Sequence, residues 1–336
     1  TEIYTLSLHD ALPISVKVMR DRRGVVLILV LSMVALFTAM IVVFSADESL
    51  DIELAYNFRD SIQAQYIARG GVEAAIAVLS EDDQAYDSED EQWGGFAEYA
   101  AGASAYLEDA QLTGSITDES GKIDLNALAK NDNDRELRIS QFKRLFTVLR
   151  IDITEDELND LVYALIDWVD ADAETDLGAE DDYYQSLEPP YHCKNALMDS
   201  VEEILLVKGM KREYLTGTEN YEGIRNHVTV GTNGKININT ATEAVIMSLS
   251  DDIGEDVVTS VVDCRPFQSA DYGCIRGLDL SGGSAESAWI RNTLDVKSSR
   301  FAVDVRGVMP SGAQVNVRAV LERINNEPRI VYYRIY

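Results

Sequence analysis

Histidine is nearly absent from this 336-residue chain: only His9, His192 and His227 occur, far apart in sequence. That scarcity leaves little material for a histidine-based catalytic or zinc centre. Cysteine is as rare, and three residues are too few for a disulfide scaffold. Cys264 and Cys274 are near enough to staple one loop in an oxidising compartment; two unrelated buried thiols are the other reading, and Cys193 is left over. Basic residues are the third deficit, with 29 Lys and Arg against 58 Asp and Glu and a formal net charge of −29. So acidic a surface repels phosphate backbones and makes nucleic acid a poor partner. The hydrophobic fraction of 46% is that of a folded protein, so the charge does not signal disorder. The length allows two or three compact units.

Proline is missing where its absence matters. None of the six prolines lies between Val25 and Leu79. Within that span, the twenty positions from Val25 to Phe44 hold no charge and only Ser32 and Thr38 as polar residues. As a helix they cover about 30 Å, the hydrocarbon thickness of a bilayer. Lys17, Arg20, Arg22 and Arg23 precede the run, and Asp47, Glu48, Asp51 and Glu53 follow it. The basic flank stays cytoplasmic, which places everything beyond Ser45 on the opposite side.

Three readings fit such a segment: a plain signal-anchor, a cleaved secretory signal, or a prepilin signal cut before the apolar run, after Gly24. A secretory signal needs a shorter apolar core and a small-residue cleavage site, and Ser45-Ala46 supplies only a weak one. Arg22-Arg23-Gly24-Val25 fits the prepilin pattern. The helical pattern also continues past the membrane surface, through Leu50, Leu54, Phe58, Ile62, Tyr66, Val72, Ile76 and Leu79. If continuous, this helix is about 80 Å long, with Gly70-Gly71 as a place to bend. Residues 1–18, which include Thr5-Leu6-Ser7-Leu8-His9-Asp10-Ala11-Leu12-Pro13-Ile14, look like translated sequencing adapter. The natural start is then expected at Met19, with a leader Met19-Arg20-Asp21-Arg22-Arg23-Gly24.

Further along, Gly121-Lys122-Ile123-Asp124-Leu125-Asn126-Ala127-Leu128 is echoed by Gly234-Lys235-Ile236-Asn237-Ile238-Asn239-Thr240-Ala241. Each reads as a short strand running into a helix, which suggests two related helical modules in series. Thr154 with Glu157, Ser200 with Glu203, and Thr240 with Glu243 have capping-box spacing. The first opens a helix whose Leu158, Leu161, Val162, Leu165 and Val169 form one apolar stripe, and Gly209 is placed to close the helix begun near Val201.

From Ile151 to Cys193 there are fourteen carboxylates and no Lys or Arg. So many like charges repel one another in a packed loop, and a hard cation relieves that. Calcium is therefore expected, with Asp170, Asp172, Glu174, Glu180, Asp181 and Asp182 as the candidate ligands; a solvated acidic face is the other reading. The spacing Asp170, Asp172, Glu174, Asp176 imitates the start of an EF-hand loop, but Thr175 stands where Gly is needed and Asp181 where the bidentate Glu belongs. Paired carboxylates can also perform glycosidase-like acid–base chemistry, but nothing singles out such a pair.

Arg23-Gly24-Val25, Gly121 to Leu128 and Ala164-Leu165-Ile166-Asp167-Trp168-Val169-Asp170-Ala171-Asp172 together resemble the K-class minor pseudopilins of type II secretion systems. So do Gly178-Ala179-Glu180-Asp181-Asp182-Tyr183-Tyr184, Pro189-Pro190-Tyr191 and Leu206-Val207-Lys208-Gly209-Met210. The resemblance implies an α+β, pilin-like fold: a long N-terminal helix on a small antiparallel sheet, with a large inserted helical domain of two SAM-like subdomains. It implies calcium in the region of Asp170 to Asp182. It also implies cleavage between Gly24 and Val25 by a prepilin peptidase, I- and J-class minor pseudopilins as partners, and no enzymatic activity. The location implied is the bacterial inner membrane, single-pass, with a periplasmic C-terminal region. Most pseudopilins carry Glu as the fifth residue after the cut; here it is Leu29, an absence shared by the K class and suited to a tip subunit with no neighbour above it.

The expected organisation is an adapter-like extension (1–18), leader (19–24), transmembrane helix (25–45), periplasmic helix and acidic loop (46–113), first helical subdomain (114–228), second subdomain (229–290) and C-terminal sheet (291–336). In that sheet Phe301–Val308, Gln314–Arg323 and Arg329–Ile335 read as strands, with turns at Pro310-Ser311-Gly312 and Asn325-Asn326. The runner-up function comes from Lys235 to Phe267, which resembles a helix-hairpin-helix of membrane-anchored, competence-like DNA-binding proteins. Asp251, Asp252, Glu255 and Asp256 around Gly254 oppose it by repelling phosphate.

Overall fold

A computed structural model describes residues 22–336 except 83, 84, 176, 279, 281 and 326. The extension 1–18, the leader residues 19–21, Asp176 and Asn326 lie outside the described residues. The chain forms two units, one through Arg59 and one from Asp60 onward. Helix α1 (Arg22–Ser80) begins in the first and ends in the second. Its apolar N-terminal part is the one helix among the described residues long and apolar enough to cross a membrane.

In the second unit, α1 supplies Ala68, Val72, Ala75 and Leu79 to a core completed by a four-stranded antiparallel sheet. Helix α2 (Phe96–Ala103) adds Phe96 and Ala100 to the same core. The sheet joins β1 (Gln111–Asp118), β6 (Arg300–Val308), β7 (Gln314–Ile324) and β8 (Glu327–Ile335) in the order β1-β6-β7-β8. Gly71 is a point of close packing. A Cβ there would stand 2.5 Å from a Val305 methyl and 2.9 Å from Leu112, so the missing side chain lets helix and sheet approach. Asn325 and Gly312 take positive φ at the two hairpin turns, as the turn residues require.

Everything between β1 and β6 is insertion. It contains α3 (Arg135–Val148), α4 (Glu155–Val169), α5 (Asp181–Tyr184), α6 (Arg212–Thr216), α7 (Glu243–Ser248), α8 (Glu255–Cys264) and α9 (Ala285–Thr293). Four two-residue strands close it into two modules. Strand β2 (Ile123–Asp124) pairs in parallel with β3 (Val228–Thr229), and β4 (Ile236–Asn237) pairs in parallel with β5 (Leu294–Asp295). The echo seen in sequence is an echo in contacts. Asn126 Nδ2 donates to the Met198 carbonyl at 3.1 Å and its Oδ1 accepts from the Met198 N–H at 2.8 Å. Asn239 repeats the bidentate grip on Phe267, at 3.0 and 2.7 Å. Both modules share one apolar core, from Ile123 to Val296.

The expected domain limits need correction. The limit at 113/114 cuts β1, the one at 228/229 cuts β3, and the one at 290/291 cuts α9. The pilin-like sheet takes a strand from before the insertion, because β6 needs a partner on the side that β7 does not fill. Of the capping boxes, Thr154–Glu157 is complete, and Ser200–Glu203 opens a 3₁₀ helix, Val201–Leu206. The third is displaced: Thr242 caps α7 by accepting from Val245 N–H, while Thr240 is drawn away to Asp118. The stripe Leu158, Leu161, Val162, Leu165 and Val169 is buried throughout.

Candidate metal centre and buried junction

Helix α4 ends at Val169 with Asp170 as its C-cap and no basic residue in its last turn. The negative end of the helix dipole therefore meets a run of carboxylates, an unfavourable arrangement without a cation. The loop then doubles back at Gly178, where a Cβ would lie 2.5 Å from the backbone of Tyr163 and Ala164. That close approach returns Glu180 to the helix end. Asp170, Asp172 and Glu180 thereby converge, each offering an oxygen within 4.8 Å of the others.

Glu180 is the centre of this group. It is 7% exposed, and the side chains of Asn195 and Cys193 lie against its carboxyl. Burial pushes its carboxyl above the ordinary range, and the charges of Asp167 and Asp172 push the same way; nearby Asn195 and Cys193 oppose them. Neither Lys194, which is held by Asp199 and Glu203, nor Lys208 resolves this. Lys208 Nζ donates to the Gly178 carbonyl at 3.3 Å and stands over the Tyr183 ring. Converging carboxylate oxygens, one of them on a buried side chain, and an adverse helix end make an all-oxygen set suited to a hard cation.

The other sequence candidates go elsewhere. Asp181 Oδ1 accepts from Cys193 N–H at 2.7 Å and its Oδ2 lies 3.0 Å from His192 Nδ1. His192 holds the Asp181 carboxyl below its usual range, with the Cys193 N–H next in effect. Asp182 and Glu174 are exposed and are not part of the cluster. Beneath the loop, Trp168, Tyr184 and Tyr191 stack with ring centroids 5.1 to 6.2 Å apart. Cys193 is buried there as a free thiol, pushed up to about 12 by burial, while Cys264 and Cys274 are joined as a disulfide. Gly24 and Val25 lie in the first turns of α1, and Val25 is exposed.

Sequence reading missed a buried polar junction between sheet and insertion. Asp118, at the end of β1, accepts from Ser298 Oγ and Thr240 Oγ1 at 2.5 Å, Asn237 Nδ2 at 3.1 Å and Ser120 N–H at 2.7 Å. Asp87 accepts from Ser298 N–H at 2.6 Å and pairs with Arg323, which also grips Asp82. Burial raises Asp87 to about 6 despite Arg323, and raises Asp118 too. Asp82, Asp87 and Glu91 also lie close enough to hold a cation, but the Arg323 guanidinium occupies that role. The only forward signal was the Asn237-Ile238-Asn239-Thr240 echo itself.

At the helix-hairpin-helix segment, α7 and α8 meet through Gly254. Asp251 and Glu286 both pair with Arg144 of α3, so the hairpin is held to a neighbouring helix. It offers no basic patch to a phosphate, and the DNA-binding reading is not favoured.

A long helix with a membrane-length apolar start, and a four-stranded antiparallel sheet interrupted after its first strand by a helical insertion, define a pilin-like fold. Residues 121–230 match the first domain of the family described as type II secretion system (T2SS), protein K. The chain is similar to that family, the K class of minor pseudopilins. Type II secretion system protein K of Pseudomonas aeruginosa is 29% identical over 75% of this chain and 76% of its own length. The Klebsiella pneumoniae protein of the same name is 28% identical over 56% of this chain, and the match spans 58% of that relative, less than two thirds. The solved GspK-GspI-GspJ complex from the enterotoxigenic Escherichia coli type 2 secretion system has a similar chain. Its TM-score is 0.65 at 16% identity, covering 85% of this chain and 99% of that one, a likeness of fold.

Proposed function

We propose that this protein is a structural, non-enzymatic subunit at the tip of the type II secretion pseudopilus, where it supports assembly and the export of folded proteins. The observation that carries the reading is the position of the insertion. It grows from the pilin-like sheet between β1 and β6, on a chain whose α1 starts with a membrane-length apolar run. In this reading a prepilin peptidase cuts between Gly24 and Val25 and methylates the new amine. The chain crosses the inner membrane once, its C-terminal region is periplasmic, and its partners are I- and J-class minor pseudopilins. The structural relative solved as a GspK-GspI-GspJ complex supports that choice of partners. Leu29, where most pseudopilins have Glu, suits a subunit without a neighbour above it.

Calcium is part of the proposal. Asp170, Asp172 and Glu180 would hold it, and it would neutralise the charge at the end of α4. The decisive experiment is co-purification of the full-length, detergent-solubilised chain with I- and J-class partners. A ternary complex is the expected result, and three separately eluting proteins would refute the tip assignment. Gly24→Arg should leave unprocessed protein in the membrane and abolish secretion; undiminished secretion by that variant would contradict the reading.

A further inference from the structure

The sheet has a second face, turned away from α1, that the insertion rises beside without covering. Strand alternation sends Val303, Val305 and Val317 into the α1 core and their neighbours Ala302, Asp304 and Arg318 to this opposite face. Between that face and the first module lies a cleft of about 840 Å³. Its floor is one cross-strand row of Thr117, Ala302, Val320 and Tyr332, a residue each from β1, β6, β7 and β8. Residues 197–202 and 228–231 of the first module form its wall. Floor and wall are fixed to each other at the base. Arg300 donates to the Val230 carbonyl at 2.5 Å, and Ser120 Oγ accepts from the N–H groups of Ser299 and Arg300. Above these ties the gap stays open, with Leu197 on the wall and Val331 and Tyr336 at the β8 mouth exposed.

Charge in the cleft runs against the rest of the chain. A protein with 58 carboxylates and 29 Lys and Arg lines this surface with Lys122, Arg225, Arg300, Arg318 and Arg334, against Glu119, Asp199, Glu202 and Asp304. Of these carboxylates, Asp199 is already bound by Lys194 from outside the cleft. The deficit of negative charge falls at one point. Arg318 and Arg334 stand directly opposite each other on β7 and β8, an unfavourable like-charge pair. Arg318 has Asp304 at 3.5 Å and Glu119 at 3.9 Å, and Glu119 is held more closely by Lys122 at 2.9 Å. Arg334 lies over the Tyr336 ring and pairs with no carboxylate among the described residues.

We propose that this cleft binds a short, acidic, extended segment of a partner protein. Its carboxylates bridge Arg318 and Arg334, and its apolar side chains meet Leu197 and Val331. A carboxylate between two guanidiniums turns their repulsion into charge-assisted hydrogen bonds. The dimensions fit as well: three strand spacings of about 4.8 Å give a floor about 14 Å long, the reach of four or five extended residues. A long polyanion such as nucleic acid would meet the surrounding net charge of −29, whereas a short segment meets only the local cations.

The test is fluorescence anisotropy of a labelled hexapeptide of alternating Asp and Leu, with the full-length chain in non-ionic detergent and the detergent alone as blank. The same peptide with Lys in place of Asp is the control. The wild type should bind the acidic peptide in a salt-dependent way and the basic one at least about tenfold more weakly. Arg334→Glu should weaken binding of the acidic peptide about tenfold or more, and Leu197→Asp on the opposite wall about fivefold or more. Arg329→Glu, on the same strand but outside the cleft, should stay within about twofold of wild type. All three side chains are exposed, so none of these variants removes a buried contact. Equal weakening by Arg334→Glu and Arg329→Glu would overturn the proposal, leaving a general charge effect. Undiminished binding by Leu197→Asp would overturn the cleft as the site, because its wall would take no part. Inorganic phosphate displacing the peptide at matched concentration would overturn the peptide reading in favour of a bare anion site. A wild-type chain that binds no acidic peptide up to about 1 mM would overturn the proposal outright.

Discussion

Truncating the two paired asparagines is the sharpest test of how the insertion is built. Asn126→Ala leaves the N–H and C=O of Met198 without partners, and Asn239→Ala does the same to Phe267. Met198 is 3% and Phe267 4% exposed, so water cannot replace the lost bonds. At about 1–3 kcal/mol for each buried group left unsatisfied, each variant should lose about 2–5 kcal/mol. The Asp87 carbonyl adds little to the second figure, because Asn237 Nδ2 still donates to it at 3.0 Å. The two losses should therefore agree within about 1 kcal/mol, since the deleted contacts are the same. Urea unfolding of the full chain followed by tryptophan fluorescence reads this well: Trp168 reports the first module, Trp289 the second and Trp93 the pilin-like core. A loss below about 0.5 kcal/mol in either variant would refute the claim that these side chains hold the modules together.

Other outcomes follow from the same geometry. Arg323→Met should destabilise by about 3–5 kcal/mol at pH 8, because it strands Asp87, which is fully buried. Asp87 has a folded pKa of about 6, raised from 3.8, so its favourable contribution is complete below 3.8 and is lost as pH rises through 6. Without Arg323 the raised value climbs further, so the cost should shrink towards pH 4–5; a pH-independent cost in denaturation curves would contradict this. Cys264→Ser with Cys274→Ser, which frees a loop of separation 10, should cost about 2–3 kcal/mol, and reducing agent should have the same effect on the wild type. Thr154→Ala, which removes the cap of α4, should cost about 1 kcal/mol, measured as a shift in the urea midpoint.

Much of the fold was legible because its signals are local. The apolar run of α1, the stripe of α4 and the alternation in β6, β7 and β8 each declare themselves within a dozen residues. Strand β1 did not. Gln111 to Asp118 contains Thr113, Gly114 and Ser115 and has no hairpin turn, since its partner β6 follows the whole insertion. The same distance hid the junction: Arg323 meets Asp82 and Asp87 from more than two hundred residues away, and no periodicity encodes such a pair. At the candidate site, composition indicated the right loop but not the right ligands. Gly178 decides which carboxylates converge, by packing against α4, whereas Asp181 is captured by His192 and the Cys193 backbone.

Asp118 and Phe301 are neighbours across antiparallel strands, so the insertion leaves and rejoins the sheet at adjacent points. Topologically it is a graft on a hairpin. Replacing residues 119–299 by a short turn would restore β1 and β6 as ordinary consecutive strands and leave the α1 core of Ala68, Val72, Val303 and Val317 intact. The cost falls on one spot, where Asp87 and Asp118 would lose Ser298, Asn237 and Thr240 and face water instead. Such a trimmed chain should retain the sheet signature in circular dichroism; loss of that signature would mean that the helical modules scaffold the sheet. The architecture therefore separates two parts along one chain: a pilin-like base, and a removable head whose attachment can change without redesigning what lies beneath it.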